Sequence, residues 1–270
     1  METIVDTGSI NINPDKRLLQ PASLSGIQFN VIDQEKYNMA MRLLRESLMD
    51  GMAQSMFCAD NLITWNRNLS FMREEPFASM LQDPNRDDIE KSTIWRIYIL
   101  LYFAKLSLNL DGDFVECGTY KGTTAKDVLE ECDLKKYGKK YWLYDLFEWE
   151  DGDEHTQLKE HDNPQMHEDV VARFSEYKNV QIIKGSVPES FSEGFPESIA
   201  FCHIDMNHPV PESGALKAVM PKLVKGGIII FDDYGWWHYS TQKIALDKIA
   251  LSFGQKILEL PTGQALLIKQ

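Results

Sequence analysis

The sequence predicts an α/β protein: a doubly wound, mostly parallel seven-stranded sheet with an antiparallel C-terminal hairpin, preceded by a helical N-terminal region. Three observations carry this expectation. From about Asp111 onward, short and nearly continuous apolar runs alternate with helical stretches, the pattern of parallel strands covered on both faces. The last two apolar runs, Lys256 to Leu260 and Ala265 to Lys269, are joined by Pro261-Thr262-Gly263-Gln264, a turn between the strands of a hairpin. Before residue 111, apolar residues recur instead at helical spacing.

Residues 1–30 are rich in Asn, Pro and Ser, lack periodicity, and read as an arm or loop. Tyr37, Met41, Leu44, Leu48 and Met52 then mark a helix that Asp33 is placed to cap, with Asp50-Gly51 as an interruption. A short helix is expected from Pro76, with Phe77, Met80 and Leu81 on one face. A third, Ile94 to Asn109, is apolar almost all round and reads as buried. The expected strands are Phe114–Cys117, Tyr141–Tyr144, Val180–Ile183, Ile199–Ile204 and Ile228–Phe231. Helices are expected over Thr123–Glu131, Val170–Tyr177, Pro211–Val224 (stopped by Gly226-Gly227) and Gln242–Phe253. The organisation is therefore an N-terminal arm and helical cap over 1–110 and a ligand-binding domain over 111–270. Between Glu148 and Asp169 lie nine acidic residues, one lysine and no apolar period. A solvated loop and a lid over a site both fit that segment.

Composition narrows the function. The 270 residues carry a net charge of −13, and the pI is about 4.9. That sign argues against a nucleic-acid partner, and no polybasic segment is present to hold an anionic membrane. Cys58, Cys117, Cys132 and Cys202 lie far apart and form no C-x-x-C, which points to a reducing compartment without a zinc ribbon. The longest apolar run, Ile97 to Ala104, is far short of the ~20 residues of a membrane span. The N-terminus has no secretory pattern, so a cytoplasmic location is expected.

In a parallel sheet, ligands bind beyond the carboxyl ends of the strands. After the first strand comes Glu116-Cys117-Gly118-Thr119-Tyr120-Lys121-Gly122. Gly118 permits a sharp turn, and Gly122 a close start to the next helix. The spacing E-x-G-x-x-x-G is not the dinucleotide G-x-G-x-x-G, which weighs against NAD or FAD. After the second strand, Asp145 is placed to accept from ribose hydroxyls. After the third, Ser186 is a candidate for an adenine edge. After the fourth and fifth come Asp205 and Asp232-Asp233. Three converging carboxylates repel unless a cation lies among them, and an all-oxygen set suits Mg²⁺. His208, just past Asp205, is a candidate base. His155, His161 and His167 read as surface residues, and His203 as a satisfied core histidine.

Taken together, E-C-G-T-Y-K-G, Asp145, His203-Ile204-Asp205-Met206 and Phe231-Asp232-Asp233-Tyr234-Gly235 resemble class I S-adenosylmethionine-dependent methyltransferases. More narrowly they resemble the macrocin O-methyltransferase-like family, over residues from about 94 to 270; Leu260 to Gln264 fits a branch of it. The resemblance implies that Glu116, Gly118, Tyr120, Gly122, Asp145 and Ser186 bind S-adenosylmethionine. It implies that Asp205, Asp232 and Asp233 bind Mg²⁺, with Asp205 as the base, while His208 stays a candidate base from its position alone. The acceptor would be a hydroxyl of a small molecule, a sugar or phenolic natural product, and the helical cap would select it and serve as a homodimer surface. Two departures stand out: Met206-Asn207-His208 replaces an acid and a tyrosine, and Ser186 replaces a common Asp. A metal-independent methyltransferase and a non-catalytic S-adenosylmethionine-binding protein are the alternatives.

Overall fold

The computed structural model describes residues 22–49, 52–148 and 163–270. Most of the expected N-terminal arm, the Asp50-Gly51 interruption, and the acidic segment with His155 and His161 lie outside the described residues. The chain divides into two compact units, Met1–Ile94 and Trp95–Gln270.

The first unit mixes helices with a small sheet. β1 (Leu24–Ser25) falls within the expected arm and precedes α1 (Gln34–Ser47). Asp33 caps α1 by accepting from the Lys36 N–H at 3.0 Å. Tyr37, Met41, Leu44 and Leu48 are half-buried along one stripe of that segment, as their spacing requires. β2 (Met56–Ala59) and β3 (Leu62–Trp65) form an antiparallel hairpin, with β1 parallel to β2. The helical reading of this region did not contain that sheet. Its turn is Asp60-Asn61, both at positive φ (52° and 53°), a conformation Asp and Asn tolerate without glycine. Neither strand alternates polar and apolar residues cleanly, so no period-2 signal announces them. α2 (Phe77–Gln82) and α3 (Asp88–Ser92) follow, the latter closed by a capping box between Asp87 and Glu90.

α4 (Ile94–Leu106) leads into the second unit. Ile97, Leu100, Leu101 and Ala104 are buried, whereas Tyr98, Tyr102 and Leu106 are exposed. The helix is therefore not covered on every side: the i, i+4, i+8 row that reaches water is led by two tyrosines, whose hydroxyls tolerate it.

The strands and helices of the Rossmann-like layer are β4 (Asp113–Cys117), α5 (Thr123–Cys132), β5 (Tyr141–Asp145), α6 (Met166–Arg173), β6 (Val180–Lys184) and β7 (Ile199–Ile204). α7 (Pro209–Lys222), β8 (Leu223–Phe231), α8 (Ser240–Ser252), β9 (Leu258–Glu259) and β10 (Ala265–Ile268) complete it. Among the described residues the sheet has seven strands in the order β6-β5-β4-β7-β8-β10-β9, with β10 antiparallel to both neighbours. Gly226 and Gly227 lie inside β8 rather than stopping α7. Their backbone pairs with Lys269, and the helix ends earlier, at Leu223.

All six residues of β7 are buried. Ile204, Ile229, Phe231, Leu216, Val219 and Leu246 share one core between β7, β8, α7 and α8. Each such side chain stabilises the fold by roughly 1.5–3 kcal/mol relative to exposure. That burial pins the register: Cys117 pairs with Tyr144 on one side and with Ile204 on the other, and Ile204 pairs with Phe231. Four strands thus end in one row, and Gly118, Asp145, Asp205 and Asp232 are the next residues along it.

Candidate active site

Strand order reverses at β4: β5 and β6 lie to one side, β7 and β8 to the other. A crevice is expected there, beyond the carboxyl ends. Gly118 sits at this point with φ +92°, and a Cβ placed on it would meet the Asp205 carbonyl oxygen at 1.8 Å. Glycine is required for both reasons, the backbone sign and the lack of room. The Gly118 N–H donates to Tyr144 O and the Asp205 N–H to Cys117 O, each at 2.8 Å. Gly122, φ +75°, opens α5 at the end of the same turn.

Asp145 is held from the backbone. Its Oδ2 accepts from the Tyr120 N–H and its Oδ1 from the Phe147 N–H, both at 2.7 Å. The carboxylate is thereby tied to the glycine turn. Ser186 is exposed beyond β6, beside the Gly185 N–H that donates to Asp145 O at 2.9 Å. Glu116 is only 1% exposed. It accepts from the Tyr141 hydroxyl at 2.9 Å and pairs with His203 Nδ1 at 3.2 Å, while its Oε1 is buried without a hydrogen-bond partner.

Asp205, Asp232 and Asp233 come together at the ends of β7 and β8, each offering an oxygen within 4.8 Å of the others. Around them stand His203 and three residues the motifs did not include, Arg96, Glu212 and Gln264. Arg96 Nη1, on α4, donates to Asp232 Oδ2 at 2.5 Å and to Asp233 Oδ1 at 2.9 Å. Gln264 donates to Asp232 Oδ1 at 3.0 Å. His203 Nε2 lies 3.7 Å from that same oxygen, so the buried His203 stands between Glu116 and Asp232. Glu212, fully buried in the first turn of α7, accepts from the Met206 and Asn207 N–H groups at 3.2 and 3.1 Å and so holds the loop after Asp205.

The electrostatics follow from this crowding. Burial, then the charges of Asp232 and Asp233, push the Asp205 carboxyl well above its ordinary range. Burial acts on Asp232 in the same direction, but Arg96, His203 and Gln264 outweigh it and hold that carboxyl well below the usual value. Burial opposes protonation of His203, yet Asp232, Glu116 and Asp205 overcome it and raise its pKa. Burial also raises Glu212.

His208 caps α7, its Nδ1 accepting from the Val210 N–H at 3.2 Å. A neutral imidazole that accepts at Nδ1 carries its proton on Nε2, so in this conformation it offers a donor rather than a base. His167 lies on α6 with its ring 5.1 Å from that of Phe147.

Residues 115–234 match the family model described as a methyltransferase domain. The protein carries an S-adenosylmethionine-dependent methyltransferase domain. No curated protein is significantly similar in sequence. Among solved structures, the O-methyltransferase NovP is 18% identical, with 66% of this chain and 80% of NovP covered and a TM-score of 0.52. CalS11, a TDP-rhamnose 3'-O-methyltransferase of calicheamicin biosynthesis, is 15% identical, with 90% of this chain and 97% of CalS11 covered and a TM-score of 0.52. At such identities the likeness is one of fold. The match to the methyltransferase domain spans every candidate from Glu116 to Asp233, whereas Arg96 and Gln264 lie outside it. Arg96 nevertheless left a signal: one cation in the apolar run Ile94 to Ala104 needs a buried partner. Glu212 and Gln264 left none.

Proposed function

We propose that this methyltransferase is an O-methyltransferase of the macrocin-like kind, acting on a hydroxyl of a small sugar or phenolic molecule with the aid of Mg²⁺. The observation that carries the reading is the convergence of Asp205, Asp232 and Asp233 at the strand ends, in the row that also holds Gly118.

S-adenosylmethionine and Mg²⁺ both fit the residues present. Asp145 uses one lone pair on each oxygen for the backbone, and a carboxylate has about four acceptor positions. Two hydroxyl donors of a ribose therefore find acceptors there without disturbing the turn. Gly118, Tyr120 and Gly122 supply backbone close to the donor, Ser186 stands beside it, and Glu116 acts from beneath through Tyr141 and His203. S-adenosylmethionine supplies a methyl group already activated on a sulfonium. At the other half of the crevice, Asp205, Asp232 and Asp233 offer oxygens within 4.8 Å of one another, and an oxygen-only set suits a hard cation. Mg²⁺, when bound, lowers the pKa of a hydroxyl coordinated to it.

The chain's own residues then do the rest. Asp205, whose backbone touches the glycine turn and whose carboxyl belongs to the acid cluster, is placed, when ionised, to take the acceptor's proton. Glu212 fixes the loop that carries it. Gln264 and Arg96 fix Asp232.

The test is methyl transfer from labelled S-adenosylmethionine to a panel of nucleotide sugars and catechols, with Mg²⁺ or with EDTA. Transfer to oxygen that requires the ion is expected. Full activity in EDTA would replace this reading with a metal-independent methyltransferase, a reading that Arg96 Nη1 between two of the acids favours. Binding of S-adenosylhomocysteine without transfer to any acceptor favours the non-catalytic alternative, and tighter binding of NAD than of S-adenosylhomocysteine would remove both.

A further inference from the structure

Arg96 is out of place for a helix that buries Ile97, Leu100 and Leu101. Its side chain is 8% exposed, and its guanidinium carbon lies 5.1 Å from the centre of the Trp236 ring. A buried arginine is retained only with partners, and here one nitrogen serves two carboxylates. Nη1 thus lies between Asp232 Oδ2 and Asp233 Oδ1, on two of the carboxylates that would hold an ion here. The other oxygen of Asp232 is engaged as well, accepting from Gln264 and facing His203 at 3.7 Å. Gln264 also donates to the Arg96 carbonyl at 3.5 Å, which ties the helix to the same carboxylate.

Two cations on one pair of half-buried carboxylates repel strongly, because water screens them poorly there. They also compete for the same lone pairs. The Trp236 face, in contrast, attracts a guanidinium whether or not the carboxylates are free.

We propose that Arg96 is a built-in competitor for the divalent ion: its guanidinium holds Asp232 and Asp233 when no ion is bound, leaves them when one arrives, and so sets the affinity of the site. The inference rests on the Mg²⁺ reading given above. It makes Arg96 a positioning residue, since it acts through the two acids and not on the substrate.

The experiment is titration of the full chain with Mn²⁺ alone, by calorimetry and by the loss of the free-ion electron paramagnetic signal. Wild type, R96Q and R96K are compared, with folding checked by thermal melts. R96Q removes the charge and is expected to bind Mn²⁺ at least tenfold more tightly. R96K keeps the charge and is expected to stay within threefold of wild type. Equal or weaker binding by R96Q overturns the inference, because the guanidinium would then organise the acids rather than compete for them. A crystal of the wild type grown with Mn²⁺ tests the same point without a variant. Arg96 should have left Asp232 Oδ2; an ion bound beside an Arg96 still joined to both acids contradicts the proposal. If no form binds Mn²⁺ at millimolar concentration, the metal reading itself fails and this inference with it, while S-adenosylhomocysteine binding, measured in parallel, keeps the methyltransferase assignment separate.

Discussion

Asp145 and Asp232 both stand at the carboxyl end of a parallel strand, one at each side of the switch in strand order, yet they are held in different ways. Asp145 is fixed by two backbone N–H groups from residues 120 and 147. Asp232 is fixed by side chains from residues 96, 203 and 264. A carboxylate held by the backbone depends on local geometry and little on charge. One held by an arginine, a histidine and a glutamine is a member of an electrostatic network, and its state changes with whatever cation joins it. The first arrangement suits a fixed acceptor for a neutral ribose, and the second a site whose charge balance is part of its chemistry.

Substitutions at the two ends should separate these modes. The largest effect is expected at the seam between them. Gly118→Ala puts a Cβ 1.8 Å from the Asp205 carbonyl oxygen at a positive φ, so it should destabilise the fold by about 4 kcal/mol or more, read as a shift in the urea midpoint. A loss under about 1 kcal/mol would mean the two strand ends are not in contact. Next comes Asp232→Ala, which removes one of the two carboxylates that Arg96 Nη1 donates to. The expected loss is ~3 kcal/mol, the low end for breaking a buried ion pair, because Asp233 still answers the charge. Asp145→Ala should weaken S-adenosylhomocysteine binding by ~1.5–3 kcal/mol, roughly tenfold to a hundredfold, the range for hydrogen bonds to a charged group. The smallest effect belongs to Gln264→Leu, which removes one donor from a carboxylate that keeps Arg96 and lies beside His203. It should cost ~1 kcal/mol in the same urea assay, and an effect as large as that of Asp232→Ala would show that Gln264, not Arg96, organises the acid.

The same contrast explains what could be read in the chain. The parallel sheet was readable because β4, β5, β7 and β8 are short runs of apolar residues between turns, and the sheet buries them on both faces. Gly118, Asp145, Asp205, Asp232 and Asp233 were readable because each follows such a run directly, and a parallel register brings strand ends into one row. Arg96 and Gln264 reach Asp232 from 136 and 32 residues away. No local period or spacing encodes a contact of that kind. The hairpin Met56–Trp65 escapes the sequence for a different reason: its turn uses Asp60 and Asn61 at positive φ, and no glycine marks it. His208 is a natural candidate base from its position after Asp205, but the requirement of α7 for a cap engages its Nδ1.

The central claim is that the two sides of the crevice hold two different ligands, an adenosyl amino acid at the turn with Asp145 and a divalent ion at Asp205, Asp232 and Asp233. The most direct test is a crossed titration of Asp145→Ala and Asp232→Ala with S-adenosylhomocysteine and with Mn²⁺, each ligand alone. The account predicts that Asp145→Ala loses affinity for S-adenosylhomocysteine and keeps that for Mn²⁺, and that Asp232→Ala does the reverse. A folded Asp232→Ala protein that binds Mn²⁺ as wild type does, or a folded Asp145→Ala protein with unchanged affinity for S-adenosylhomocysteine, would contradict it.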